Sequence, residues 1–176
     1  VTPLSADREA VFLSLVAEHR TILYKVARAY GRTQEDRADL VAEMTAALWT
    51  SFGRFDDRYR FSTWMYRIAL NIAISFYRVE RRRLAHASEI DPVTLEIAAV
   101  SAGTDGQVRG LHDFIDTLAD LDKALMLLYL DGYAYRDIAA MIGISETNVG
   151  TKLNRIRHRA RETIGSCRCV GDKNGI

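Results

Sequence analysis

Between residues 7 and 31 apolar side chains return at steps of three and four or their multiples. Val11, Leu15, Ile22, Val26 and Tyr30 mark the stripe, and Phe12, Val16 and Leu23 widen it. That period belongs to an α-helix with one face turned inward, and Gly31 is where it stops. A second stretch, 35–52, places Leu40, Val41, Met44, Ala47 and Leu48 on an inward face and closes at Gly53, followed by a loop over 53–60. A third helix is expected from Ser62, read as its N-cap, to about Arg83. Its buried stripe is read as Phe61, Trp64, Met65, Ile68, Ile72 and Phe76, with Leu70 and Ile74 facing outward. Three amphipathic helices with short joints predict a bundle.

Residues 85–110 break the pattern. Aromatics vanish, Ala, Ser, Gly, Thr and Asp dominate, and Pro92 intervenes. This is linker composition, with one short helical piece at 93–100. From Leu111 helical periodicity resumes. Phe114, Ile115, Leu118 and Leu121 share a stripe, and 124–130 is a strongly apolar helix ending at Asp131-Gly132. Two segments follow, 135–142 and 145–164, split by Gly143-Ile144, and 166–176 reads as a frayed tail. The predicted class is all-α: an N-terminal helical bundle over 1–84, a linker over 85–110, and a four-helix C-terminal domain over 111–165.

Ala139, Gly143 and Val149 have a spacing with a physical reason. Two steeply crossing helices need a small side chain at the contact, here Ala139, and a turn residue able to take positive φ, here Gly143. Val149 then plugs the second helix onto the first, with Ile138, Ile142 and Ile144 around it, and Ser145 caps the second helix. This is a helix-turn-helix signature. On a helical wheel Val149, Leu153, Ile156, Ala160 and Ile164 share one face, while Asn148, Thr151, Lys152, Arg155, His158 and Arg159 share the other. Asn and Arg can pair bidentately with base edges in a major groove, and the remaining groups meet phosphates.

Charge sharpens this picture. The net charge of the 176-residue chain is only +1, but it is segregated. Residues 34–57 are acidic, with Asp36, Asp39 and Glu43 on one helical face, while 58–83 are rich in Arg and 143–161 are basic again. One polyanionic partner and one partly basic partner are implied. Spacing alone would also allow a divalent metal at the three acids, but no fourth ligand is near.

Aromatics concentrate in 49–77, and an Arg-rich run follows them. Rings interleaved with arginine suit unpaired nucleic acid, where bases stack and the backbone needs cations. Phe61 and Phe76 read as core rings, Phe55 and Tyr59 as capture rings, and Trp64 stands on the buried stripe but beside the loop. Arg67, Asn71 and Arg78 fall on one side of the third helix, where an Asn in mid-helix implies a contact role.

Other classes are excluded by what is missing. The longest apolar runs fall far below the ~18 residues a membrane span needs, and no basic-then-apolar leader is seen. Cys167 and Cys169 read as free thiols in a reducing cytoplasm. Four scattered histidines form no nucleophile–base pair or metal cluster, so neither catalysis nor a cofactor is expected.

The stretches DRADLVAEMTAALWTSFGRFD, FSTWMYRIALNIAISFYRVERRR and YLDGYAYRDIAAMIGISETNVGTKLNRIRHRAR together resemble bacterial sigma factors of the extracytoplasmic-function group. The resemblance covers 7–83 and 111–164. It implies that the first half binds the clamp coiled coil of core RNA polymerase through Asp36, Asp39 and Glu43. It implies that the same half captures the melted minus-ten strand through Phe55 to Tyr59 and Asn71, with Trp64, Arg67 and Arg78 beside them. The second half would read the minus-thirty-five element through Thr151, Lys152, Asn154 and Arg155, flanked by Asn148 and Arg159, and would meet the polymerase flap. The linker would thread near the RNA exit path, and such factors commonly have an anti-sigma partner. Ala38, Ala42, Ser75 and Gly150 depart from the group's usual residues. Two rivals are a response-regulator-type helix-turn-helix regulator, which needs an N-terminal sensor with strands, and a ligand-binding or enzymatic helical bundle.

Overall fold

The computed structural model describes residues 6–87 and 106–171, with side chains described for 7–79, 110–111 and 113–163. The helical piece expected at 93–100 lies outside them. The described residues form seven α-helices and one 3-10 turn, with no strand. Contacts divide the chain into two compact units, Val1–His86 and Ala87–Ile176.

In the first unit, α1 spans Ala6–Tyr30 and α2 spans Gln34–Ser51. The joint between them is short because Gly31 allows close approach. A β-carbon there would stand 2.9 Å from the Ala27 carbonyl oxygen and 3.0 Å from the Arg37 nitrogen. Arg37 Nε also donates to the Gly31 carbonyl at 3.1 Å. The Phe12 ring, early in α1, meets Trp49 late in α2 at 5.1 Å, so the two helices run antiparallel. The 3-10 turn Phe52–Arg54 follows, then α3 over Phe61–Ala87. Phe61 stacks on His19 and Tyr77 meets Tyr30, so α3 runs parallel to α1. Phe12, Leu23, Val26, Tyr30, Leu40, Met44, Leu48 and Phe52 fill the core. Val11, expected on the inward stripe of α1, is 52% exposed.

Two expectations for α3 are corrected. The helix begins at Phe61, because the Arg60 carbonyl accepts the Thr63 and Trp64 N–H groups at 3.1 and 3.2 Å. Ser62 is therefore inside the first turn and is not the cap. The buried face is also rotated. Met65, Tyr66, Ala69, Leu70 and Ala73 are buried, whereas Trp64, Ile68, Ile72 and Phe76 are only half-buried. Leu70, expected to face outward, is 3% exposed. Ala69 and Ala73 are fully buried, so the face they share with Met65 and Leu70 is the one turned into the unit.

In the second unit, α4 spans Gly106–Asp116, α5 Asp120–Leu130, α6 Tyr135–Ile142 and α7 Glu146–Gly171. Helices α5 and α7 each pack against all three others, and α7 does so most extensively. Phe114, Ile115, Leu118, Leu125, Leu128, Ile138, Met141, Val149, Leu153 and Ile156 make the core. The helix expected to end at 164 continues to Gly171; one glycine at 165 weakens a helix without breaking it. Lys123 is buried at 3% exposure within α5, and its ammonium lies 3.8 Å from Asp116 Oδ1.

Candidate nucleic-acid interface

The turn in the second unit rests on backbone that few residues can adopt. Gly143 ends α6 with φ 79° and ψ 35°, a left-handed conformation that costs a residue with a β-carbon about 1–2 kcal/mol. Gly143 and Ile144 both donate their N–H groups to the Ala139 carbonyl, at 2.9 and 3.2 Å. The chain then re-enters a helix at once. Ser145 Oγ accepts the Asn148 N–H at 3.3 Å, and its carbonyl accepts the Val149 N–H at 3.0 Å. Val149 and Leu153 are fully buried and Ile156 and Ala160 nearly so. That burial fixes the rotation of α7 about its axis.

Given that rotation, Asn148, Thr151, Arg155, His158 and Arg159 are all exposed. Asn154 is exposed too, but it sits about 100° around the helix from Arg155 and faces a different direction. The Thr151 hydroxyl donates to the Thr147 carbonyl at 3.0 Å, which leaves its lone pairs for an incoming donor. Lys152 is less open than its neighbours. Its ammonium lies 3.5 Å from Asp122 Oδ1 on α5. Gly150 lies on the opposite flank, where an added β-carbon would rest 3.7 Å from the Tyr135 ring. Arg157 sits over Tyr129, 5.7 Å from the ring centroid, and His158 faces Glu162 at 3.3 Å.

The aromatic loop of the first unit is a packed cluster with one ring outside it. Phe52 is buried by the 3-10 turn, and Phe55 stacks parallel to it at 6.0 Å. Phe55 also meets Trp64 at 5.0 Å and Phe61 at 5.4 Å. Phe55 and Trp64 are therefore half-buried supports, whereas Tyr59 is 67% exposed. The loop is braced from both sides. Asp56 accepts from the backbone N–H of Arg58 at 3.1 Å and from its guanidinium, and the Tyr59 N–H donates to the Asp56 carbonyl at 3.1 Å. The side-chain bond from Arg58, then its backbone bond, hold the Asp56 carboxyl below the usual carboxylate range. From α1, Arg8 donates to the Gly53 carbonyl at 3.4 Å and lies 5.8 Å from the Phe52 ring centroid. A cleft of about 750 Å³ opens between α1 and the loop, lined by Arg8, Val11, Leu15, Phe55, Asp57 and Tyr59 among others. Along α3, Arg67, Asn71 and Arg78 are all exposed on one face.

The acidic face of α2 divides by role. Asp36 Oδ2 accepts from the Thr33 and Arg32 N–H groups at 2.9 and 3.1 Å, while Thr33 Oγ1 accepts from the Asp36 N–H at 3.0 Å. This reciprocal pair is a capping box, so Asp36 closes the helix start. Asp39 and Glu43 are exposed and form no ion pair among the described residues. No group of three or more metal-ligating side chains occurs among the described residues.

These two constellations occur in a known order. The family description Sigma-70 region 2 matches residues 15–83, and Sigma-70, region 4 matches residues 109–162. The extracytoplasmic-function sigma-E factor of Salmonella typhimurium is 32% identical over 172 residues, covering 90% of this chain and 86% of that one. The chain belongs to the extracytoplasmic-function sigma factors. Another relative is the sigma factor CnrH of Cupriavidus metallidurans, 29% identical over 164 residues, 87% of this chain and 86% of that one. Among solved structures, the Bartonella quintana sigma factor RpoE, in a complex with the anti-sigma factor NepR, matches with TM-score 0.68 at 20% identity. That match covers 90% of this chain and 97% of the other. CnrH in complex with the cytosolic domain of CnrY matches with TM-score 0.62 at 23% identity, over 94% of this chain and 91% of that one. As a sigma factor, the protein binds core RNA polymerase and directs promoter-specific initiation. A regulator with a strand-containing sensor is not favoured, because region 2 occupies the N-terminal half. No helix among the described residues is long and apolar enough to cross a membrane.

Three features of the sigma factor escaped the sequence reading. The Arg8 brace joins residues 45 positions apart, and no local pattern signals it. Lys123 hides inside an apolar run, where a long stem is compatible with either surface or core. The Asp56–Arg58 turn was legible in principle, since an Asp two residues before an N–H donor favours such a local bond.

Proposed function

We propose that the two units act as two modules of one initiation factor, joined by the linker between α3 and α4. That linker is shorter at both ends than the 85–110 expected from composition, because α3 runs to Ala87 and α4 starts at Gly106. The second module seats α7 in the major groove of the minus-thirty-five element. Arg155 and Asn148 are its base-reading groups, Thr151 and Asn154 support them, and Arg159 and Lys152 meet the backbone. A bidentate Arg contact to a base is worth about 1–3 kcal/mol of discrimination. The single observation that carries this is the burial of Val149, Leu153 and Ile156, which turns the cationic face of α7 outward.

The first module opens the minus-ten element. Tyr59 offers the exposed ring for an unpaired base, and Phe55 and Trp64 hold that ring's loop rigid from beneath. Arg67, Asn71 and Arg78 follow the same strand along α3. Each stacked base contributes roughly 1–3 kcal/mol. A captured base cannot re-pair, so binding shifts the duplex toward its open form. Asp39 and Glu43 supply the charge that docks on the polymerase clamp, with Asp36 fixing the helix that carries them. The linker passes near the RNA exit path, and the second module also meets the flap. The chain itself catalyses nothing and works in the cytoplasm at the nucleoid. An anti-sigma protein holds it inactive, as the partners of RpoE and CnrH in the two matched structures support.

Run-off transcription with purified core enzyme and a promoter library tests this. Arg155→Ala weakens use of the upstream element roughly ten- to hundred-fold while polymerase binding persists. Tyr59→Ala slows opening on duplex promoter more than on a pre-melted template. Equal loss on both templates rules out base capture by Tyr59, and loss of polymerase from Arg155→Ala rules out the assignment of α7.

A further inference from the structure

The ion pair between Lys152 and Asp122 crosses from the recognition helix to a helix that carries no other proposed DNA contact. Lys152 stands on the rim of the exposed face of α7, next to the buried line Val149–Leu153–Ile156. Its ammonium lies 3.5 Å from Asp122 Oδ1, with the lysine side chain 41% exposed and the aspartate 23%. Asp122 belongs to the first turn of α5, where a carboxylate is favoured by the helix dipole, so its charge is anchored on the scaffold. The neighbouring exposed cations on this face, Arg155 and Arg159, have no acid on α5 facing them among the described ion pairs.

A rim position on a groove-bound helix meets the sugar–phosphate backbone rather than base edges. We propose that Asp122 is an internal competitor for DNA: its carboxylate holds the Lys152 ammonium until a promoter phosphate takes its place. The idea rests on α7 being the groove-facing helix. A lysine already neutralised by a carboxylate gains less from a phosphate than a hydrated one does. If it stays paired, the carboxylate opposes the approaching strand. Either way Asp122 lowers affinity without regard to sequence. The sigma factor thereby holds non-promoter DNA weakly, while Arg155 and Asn148 keep their base contacts.

The test uses holoenzyme made from the full chain and core polymerase, bound to promoter duplex and to the same duplex with its upstream element scrambled, over a range of salt. Asp122→Asn tightens binding to both duplexes three- to tenfold. Where Lys152 stays paired with Asp122 in the parent complex, it also steepens the salt dependence by about 0.9 in log–log slope, as one added phosphate contact requires; where the phosphate already displaces Asp122, the slope holds. Asp122→Ser does the same, and Asp122→Glu stays within twofold of the parent. In a Lys152→Ala background, Asp122→Asn changes affinity by less than twofold. An unchanged or weakened affinity in both Asp122→Asn and Asp122→Ser overturns the proposal. So does a gain confined to the promoter, or a gain that survives in Lys152→Ala. Arg155→Ala is measured alongside. If it leaves upstream recognition intact, the placement of α7 is what has failed; if it weakens recognition while Asp122→Asn is silent, the competitor alone has failed.

Discussion

Replacing Gly150 with alanine stabilises the C-terminal unit and leaves promoter choice alone. Gly150 lies within the second turn of α7, in mid-helix with ordinary φ. A glycine there costs about 0.8–1.0 kcal/mol relative to alanine, because its freer backbone loses more entropy on folding. The new methyl meets no obstacle. Its nearest neighbours are Tyr135 Cε2 and Cδ2 at 3.7 and 3.8 Å, ordinary contact distances. The gain is therefore about 1 kcal/mol, which raises the midpoint of a 60–100-residue domain by roughly 4–8 °C. The methyl also points toward α6 and away from the face holding Arg155 and Asn148. Both tryptophans, Trp49 and Trp64, belong to the first unit. Circular dichroism should thus report the raised midpoint while tryptophan fluorescence does not move. A lowered or unchanged midpoint would refute the reasoning, and so would altered promoter preference, which would place Gly150 against DNA.

Gly31→Ala has the opposite sign, because the methyl would press on the Ala27 carbonyl and the Arg37 backbone; a loss of about 1–3 kcal/mol is expected, read from tryptophan fluorescence on denaturation. Asp39 and Glu43 changed together to Lys lower polymerase affinity with little change in stability, whereas Asp36→Ala costs about 1 kcal/mol through the lost capping box; swapped phenotypes would reverse the two roles. A carboxyl whose folded pKa is lowered contributes stability above its unfolded value and loses it as pH falls through the folded one. The Asp56–Arg58 turn therefore stays closed at neutral pH and opens only below the usual carboxylate range. NMR titration of Asp56 should show that low midpoint in the parent chain and a partial rise toward the ordinary range in Arg58→Gln, which removes the side-chain bond and keeps the backbone one.

The elements easiest to see in the chain were those whose ends are fixed by single residues. Gly31, Gly143 and Ser145 each do one local job, and the helices begin and end where those jobs place them. Helix α3 was harder because it carries two adjacent apolar lines. Ile68, Ile72 and Phe76 form one, and Met65, Ala69 and Ala73 another. Periodicity weighs size, so it favours the first line. The structure buries the second fully and leaves the large residues of the first half-open. The site shows the same division. The exposure of Arg155, Asn148 and Tyr59 follows from local pattern, and so does the capping box of Asp36 with Thr33, but the partners that restrain Lys152 and Phe55 lie on other elements.

Lys123 carries a consequence for handling the protein at the bench. Its side chain is buried and its ammonium lies against Asp116 on α4, so an acylating reagent in water reaches it only when the C-terminal unit opens. The rate at which that amine is labelled, followed by mass spectrometry, is a native clock for the opening of this unit, and any partner that clamps the unit shut should slow it.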